Sequence, residues 1–228
     1  MRGVRAPLPL AAPPPLPPPP ELAEALAQLG VDLDARQLHQ LGDYLARLLA
    51  MNERLNLTAI VAPAEAWRRH VVDALSLAPH LADLPAAALV LDVGSGGGVP
   101  GIPLAIARPD LAVTLLDATE KKVAFLAAVA PAIGLTNVTA IAGRAEAVAR
   151  THGRRFAAVT ARAVARLDTL VQWTAPFASP GGRLLFIKGE RADQELAEAA
   201  ATLSRLHARH TRTVVTATGR VVELRVDG

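Results

Sequence analysis

Cysteine is absent from all 228 residues, which removes disulfides, thiolate zinc sites and cysteine nucleophiles in one step. Aromatic residues make up only 3%, too few for a base-stacking platform of the RRM or OB type. Lysine is nearly missing: Lys121, Lys122 and Lys188 stand against a total of 24 Lys and Arg residues. The net charge is just +3, so charge alone does not point to nucleic acid. Half of the chain (51%) is hydrophobic, yet no apolar run reaches membrane-spanning length without a charge or a proline. Prolines at 7, 9, 13–15 and 17–20 also work against the apolar helix of a signal peptide. These absences predict a soluble cytoplasmic protein with no metal site and no membrane partner.

What is present concentrates in Leu89 to Gly101, LVLDVGSGGGVPG. A near-continuous aliphatic run is how a parallel strand buried on both faces reads. Four glycines in five residues follow it, letting backbone approach a ligand where a Cβ would collide. The spacing Gly94-x-Gly96-x-Gly98 puts Val99 where the dinucleotide fingerprint G-x-G-x-x-G needs its third glycine. Instead, the turn resembles motif I of class I S-adenosylmethionine-dependent methyltransferases.

Three regions are expected. Residues 1–20 read as a disordered, polyproline-II-like tail. Residues 21–85 read as a small helical region, with Leu22, Leu26 and Leu29 at helical spacing before Gly30. Asp34 serves there as the N-cap of a second helix carrying Leu38, Leu41, Leu45 and Leu48. A third helix runs from Pro63 to about Leu77. From 86 to 228, aliphatic strands alternate with Ala-rich helices, the pattern of a doubly wound α/β sheet. Strands are expected at 88–93, 112–117, 138–142, 156–161 and 182–187. Helices fall at about 100–108, 120–133, 144–151, 166–177 and 190–207. Arg212 to Val215 and Val221 to Val226 flank Thr218-Gly219 and predict a terminal β-hairpin. The fold class is therefore α/β: a Rossmann-like, mostly parallel seven-stranded sheet with an antiparallel C-terminal hairpin. Class I methyltransferases end in that way, and dehydrogenases do not.

Several residues could carry chemistry. Asp117 closes the second strand, where a carboxylate can bond ribose hydroxyls of an adenosine ligand, although an N-cap before the next helix would explain it too. Ala145 and Glu146 follow the third strand. Arg69 and Asp73 stand four apart on one helix face, with His70 between them. Arg162 and Lys188 put two cations at carboxyl strand ends, where open α/β sheets hold their ligands.

NERLNLT, RHVVDAL, DVGSGGGVPGIPLAI, LLDATEKKVAFL, GRAE, ARAVA and KG, in this order, resemble the bacterial 16S ribosomal RNA guanine-N7 methyltransferase family, also called glucose-inhibited division protein B. The likeness covers about Leu41 to Gly189. It implies S-adenosylmethionine as cofactor and methylation of N7 of guanine 527 in the 530 loop of 16S rRNA. Its cofactor contacts fall on Gly94, Val99, Ala145, Glu146 and Arg162. To these the glycine turn adds Gly96 and Gly98, and the strand end adds Asp117. The implied partner is 16S rRNA within the small subunit or an assembly intermediate, with the protein acting as a monomer.

Missing motifs agree. Methylation at C5 of a pyrimidine needs a cysteine adduct, exocyclic-amine enzymes need an Asn/Asp-Pro-Pro-aromatic motif, and ribose 2′-O enzymes of the Lys-Asp-Lys-Glu type need a lysine ahead of the glycine turn. Guanine N7 carries a free lone pair, so the task is alignment without a general base. Arginine can fork onto O6 and N7. Arg162 or Arg69 is expected to do so, with Asn56 and Lys188 holding base or phosphate. Competing readings are a methyltransferase for small molecules or proteins, an RNA-binding assembly factor without turnover, and an NAD-linked oxidoreductase, which Val99 and the terminal hairpin disfavour.

Overall fold

A computed structural model describes residues 9–162 and 165–227. The strands are β1 (Leu89–Val93), β2 (Ala112–Asp117), β3 (Val138–Ala142), β4 (Phe156–Arg162), β5 (Ala178–Lys188), β6 (Ala208–Thr216) and β7 (Gly219–Val226). They form one sheet in the order β3-β2-β1-β4-β5-β7-β6. The first five pair in parallel, while β7 runs antiparallel between β5 and β6. The strand order reverses between β1 and β4, and crevices at such a reversal are where open α/β sheets bind ligands.

The helices are α1 (Leu22–Leu29), α2 (Ala35–Leu55), α3 (Pro63–Ala66), α4 (Asp73–Leu75), α5 (Gly101–Ala107), α6 (Glu120–Ala132), α7 (Ala145–His152), α8 (Leu167–Thr174), α9 (Ala192–Glu198) and α10 (Ala200–Arg205). Asp34 caps α2 as expected: its Oδ1 accepts from Gln37 N at 2.7 Å, and Gln37 Oε1 accepts from Asp34 N at 2.9 Å. That reciprocal box satisfies two orphan donors of the first turn. Gly30 ends α1 in the left-handed region, φ +65°, where a side chain would be strained. Between α3 and α4 the residues Trp67–Val72 form a π-helical turn, a widened turn that recurs at functional sites.

Two apolar cores sit on opposite faces of the sheet. One joins Leu41, Leu45 and Leu48 of α2 and Trp67 to Val90, Leu115 and Phe125. The other joins Leu170 and Leu203 to Val159, Phe186 and Leu224. The N-terminal helices thus share a core with the sheet. Gln37 Nε2 donates to Ile106 O and Gln40 Nε2 to Ile133 O, each at 2.8 Å, so their buried amides are satisfied.

Three expectations change. The tail is ordered over 9–20: Leu10 and Leu16 pack on the core, and Leu16 N donates to Gly42 O at 3.1 Å. Gly42 allows this contact, because a Cβ there would lie 2.4 Å from Leu16 O. The rest of the tail, residues 1–8, lies outside the described residues. Secondly, the helix expected at 190–207 is two short helices, α9 and α10, broken at Ala199. Thirdly, β5 starts at Ala178 rather than 182, because Gly181 takes φ +74° and carries the strand through an irregular register against β4. Among the described residues no helix is long and apolar enough to cross a membrane.

Candidate active site

The chain leaves β1 at Val93 and turns at once. Gly94 (φ +73°), Gly96 (φ +56°) and Gly98 (φ +104°) all adopt left-handed backbone, open to glycine at little cost. Gly94 N and Ser95 N both donate to Leu116 O, at 2.8 and 3.0 Å. Asp117 holds the bend: Oδ2 accepts from Gly96 N at 2.9 Å, and Oδ1 accepts from Thr119 N at 2.8 Å. The carboxylate thus anchors the glycine loop and the turn ahead of α6, whose N-cap is Thr119 rather than Asp117.

Support from behind comes from α2, and the sequence reading missed it. The buried Tyr44 hydroxyl donates to Gly97 O at 2.9 Å, and a Cβ on Gly97 would meet Leu48 Cδ1 at 2.7 Å. Burial pushes the Tyr44 phenol well above its ordinary range, so it remains a donor. Asp92, at the end of β1, is fully buried; its carboxylate accepts from Thr160 Oγ1 at 2.9 Å and Gly101 N at 3.2 Å. Desolvation still pushes its pKa up to about 6.

Three cavities open along the carboxyl ends of the strands. The first, about 210 Å³, is lined by Gly94, Asp117, Ala145, Glu146 and Trp173 among others. Carboxylates for hydroxyls and an indole beside them suit an adenosine. Trp173 lay outside the sequence-based assignment, although one of two tryptophans in so aromatic-poor a chain was a usable signal. The second, about 260 Å³, is lined by Gly94, Gly96, Val99, Thr58, His70 and Arg162 among others. Gly94 borders both, so a ligand laid along the loop reaches from one into the other. The third, about 560 Å³, takes in Arg69, Asp73, Arg162, Lys188, Arg191 and Thr218.

Gly98 lines none of these. A Cβ there would meet Ile102 Cγ1 at 2.7 Å and Leu126 Cδ2 at 3.1 Å, so its role is packing beneath the loop. Asn56 is likewise outside all three. It is the exposed left-handed cap of α2, φ 50°, with its N–H donating to Asn52 O. Its neighbour Asn52 does the local work: Oδ1 accepts from Leu57 N and Thr58 N, both at 2.8 Å, and sets the turn that delivers Thr58.

The expected cations are already engaged. Lys188 Nζ lies 2.7 Å from Glu195 Oε2 and donates to Ala165 O at 2.8 Å. Arg69 Nη1 donates to Thr218 O at 3.0 Å, and its Nε lies 3.5 Å from Asp73 Oδ2. Arg162 Nη1 donates to Arg69 O and lies 3.5 Å from Asp73 Oδ2, while Nη2 donates to His70 Nδ1 at 3.1 Å. The guanidinium fork thus holds the π-helical turn. Burial raises the Asp73 carboxyl above its ordinary pKa, and its buried Oδ1 has no partner among the described residues. His70, 1% exposed, is driven down to about 4 by burial and by the Arg162 charge. A neutral imidazole follows.

The family profile described as rRNA small subunit methyltransferase G matches residues 37–222. A protein of Sorangium cellulosum named "Ribosomal RNA small subunit methyltransferase G" is 56% identical over 225 residues, covering 98% of this chain and 94% of its own. One of the same name from Roseiflexus castenholzii is 42% identical over 188 residues, covering 82% and 80%. Among solved structures, the O-methyltransferase TomG of Streptomyces achromogenes, in complex with SAM, is 16% identical with a TM-score of 0.56, over 89% of this chain and 94% of that one. TYW2 of M. jannaschii, in complex with AdoMet, is 14% identical with a TM-score of 0.52, over 67% and 74%. At that identity the likeness is one of fold: a class I S-adenosylmethionine-dependent methyltransferase sheet. With its profile matched over 37–222 and relatives of that name along nearly its whole length, the chain belongs to the rRNA small subunit methyltransferase G family.

Proposed function

We propose that this enzyme methylates N7 of guanine 527 in the 530 loop of 16S rRNA, on the small subunit or an assembly intermediate, working as a cytoplasmic monomer. S-adenosylmethionine, when bound, supplies an electrophilic methyl group. Gly94, with Gly96 in the adjoining cavity, gives the cradle for it, while Asp117 and Glu146 supply acceptors and Trp173 supplies an apolar wall.

The observation that carries the reading is the want of a base. The second cavity has one histidine, and both its nitrogens are engaged, by Arg162 and by Thr58. Among the described residues its other ionisable lining group is the Arg162 cation, and no carboxylate borders it. An acceptor that must lose a proton, such as a hydroxyl or an amine, would find nothing here to take it. Guanine N7 has no proton to lose. Alignment of its lone pair with the methyl carbon is then most of the chemistry. The Arg162 fork is spent on Arg69 O, Asp73 and His70, which argues against its forking onto the purine edge, where a cation would oppose the charge that methylation places on the base.

The test is deletion of the gene followed by borohydride and aniline cleavage of 16S rRNA at 7-methylguanosine. Loss of one cleavage in the 530 loop, restored by the wild-type gene but not by Gly94→Asp, supports the assignment. An unchanged cleavage map overturns it.

A further inference from the structure

The hydrogen bonds around His70 fix its tautomer by elimination. Arginine has donors and no acceptor, so His70 Nδ1, 3.1 Å from Arg162 Nη2, must present its lone pair. The neutral ring then carries its proton on Nε2, which donates to Thr58 Oγ1 at 2.9 Å. Ile60 N also donates to Thr58 Oγ1, at 3.0 Å. A hydroxyl oxygen has two acceptor sites and one proton. Both sites are filled, and the proton has no acceptor among the described residues. Thr58 lines the second cavity together with Gly94, Gly96 and Gly97.

We propose that the Thr58 hydroxyl donates this remaining hydrogen bond to O6 of the target guanine and thereby selects guanine over adenine. The proposal rests on the assignment of guanine N7 made above. O6 stands beside N7 on the same edge, where adenine has an amino group that donates. A threonine with a free rotor could turn and accept from that amino group. Thr58 cannot, because its lone pairs are held by His70 and Ile60, so adenine would set donor against donor. The donor is also neutral. It recognises the carbonyl without adding charge beside a purine that becomes cationic. Arg162 and His70 act as positioning residues, keeping the hydroxyl proton pointed outward.

The experiment uses small subunits reconstituted with guanine or with 2-aminopurine at the target position, the latter keeping N7 and lacking O6. Methyl transfer is followed with wild type, Thr58→Val and Thr58→Ser, the modified nucleoside is identified by mass spectrometry, and cofactor affinity is measured by calorimetry. On guanine, Thr58→Val should lower kcat/KM about 10- to 100-fold, the range of one lost base-reading bond, and Thr58→Ser should recover most of it. On 2-aminopurine, wild type and Thr58→Val should react at the same rate, with cofactor affinity equal in all three. An equal loss on both bases, no loss on guanine, or weakened cofactor binding overturns the proposal. If wild type makes no 7-methylguanosine, the assignment beneath it has failed instead.

Discussion

Asp117 Oδ2 accepts the Gly96 N–H at 2.9 Å, so the carboxylate that ends the second strand fastens the loop that ends the first. Its other oxygen accepts from Thr119 N. In Asp117→Asn one oxygen becomes an amide donor and must face one of these N–H groups. Cofactor affinity, measured by calorimetry, should fall at least about tenfold, the cost of one unmatched buried donor. Affinity within experimental error of wild type would mean that the loop does not depend on this anchor.

The glycines divide into two kinds, and substitution separates them. Gly98→Ala places a Cβ 2.7 Å from Ile102 Cγ1 at φ +104°, and should cost about 1–3 kcal/mol of stability through overpacking and strain. Gly189→Ala meets nothing within 4 Å and should leave the thermal midpoint unchanged. Equal midpoints for the two variants would contradict the packing role of Gly98.

Legibility in the sequence followed the range of the interactions. Buried parallel strands read as aliphatic runs, and the Asp34 cap, the glycine turn and the terminal hairpin are local, so all could be found from neighbouring residues. The occupations of Asn56, Lys188 and Arg162 were not legible, because their partners come from distant segments or from backbone. Lys188 looks like a free cation until Glu195 and Ala165 O are placed on it. Asn52 and Asn56 look alike in NERLNLT, yet one holds the Thr58 turn and the other ends a helix. Tyr44 and Trp173 stand in no motif, and Thr58 closes NERLNLT with nothing local to mark its hydroxyl, since each acts through the shape of the assembled crevice.

That division of labour between two asparagines is testable. Asn56→Gly keeps a left-handed cap that glycine favours, and should retain both stability and methyl transfer. Asn52→Leu removes the acceptor of Leu57 N and Thr58 N, and should lower methyl transfer at least about tenfold as two donors go unmatched. Asn52→Asp, which keeps the acceptor, should recover it. A steady-state assay on unmethylated small subunits decides, and a large loss in Asn56→Gly would return that residue to the substrate site.

Asp92 and His70 pull stability in opposite directions over one acid range. Burial raises Asp92 to about 6 from 3.8, so the folded chain takes up a proton before the unfolded chain does, and stability rises as pH falls through that interval. His70 is lowered to about 4 from 6.5; the unfolded chain protonates first, and stability falls as pH drops from 6.5 toward 4. Between pH 7 and 4.5, Asp92→Asn should therefore lose more stability than wild type, and His70→Gln should lose less. Urea midpoints at the two pH values measure this, and parallel shifts in all three proteins would refute it.

Arg162 reaches the reacting base through His70 and Thr58, which makes its effect and that of Thr58 dependent on each other. Arg162→Lys supplies a single ammonium where Arg69 O, Asp73 Oδ2 and His70 Nδ1 share a fork, and a point donor cannot serve all three. The imidazole is then free to take the other tautomer, and Thr58 loses its fixed donor. Single-turnover methyl transfer should fall about 10- to 100-fold. In the background of Thr58→Val, where no hydroxyl remains to orient, the same change should cost much less. Such a coupled cycle is what residues acting in one network give. Were Arg162 to fork onto the guanine directly, the two losses would multiply.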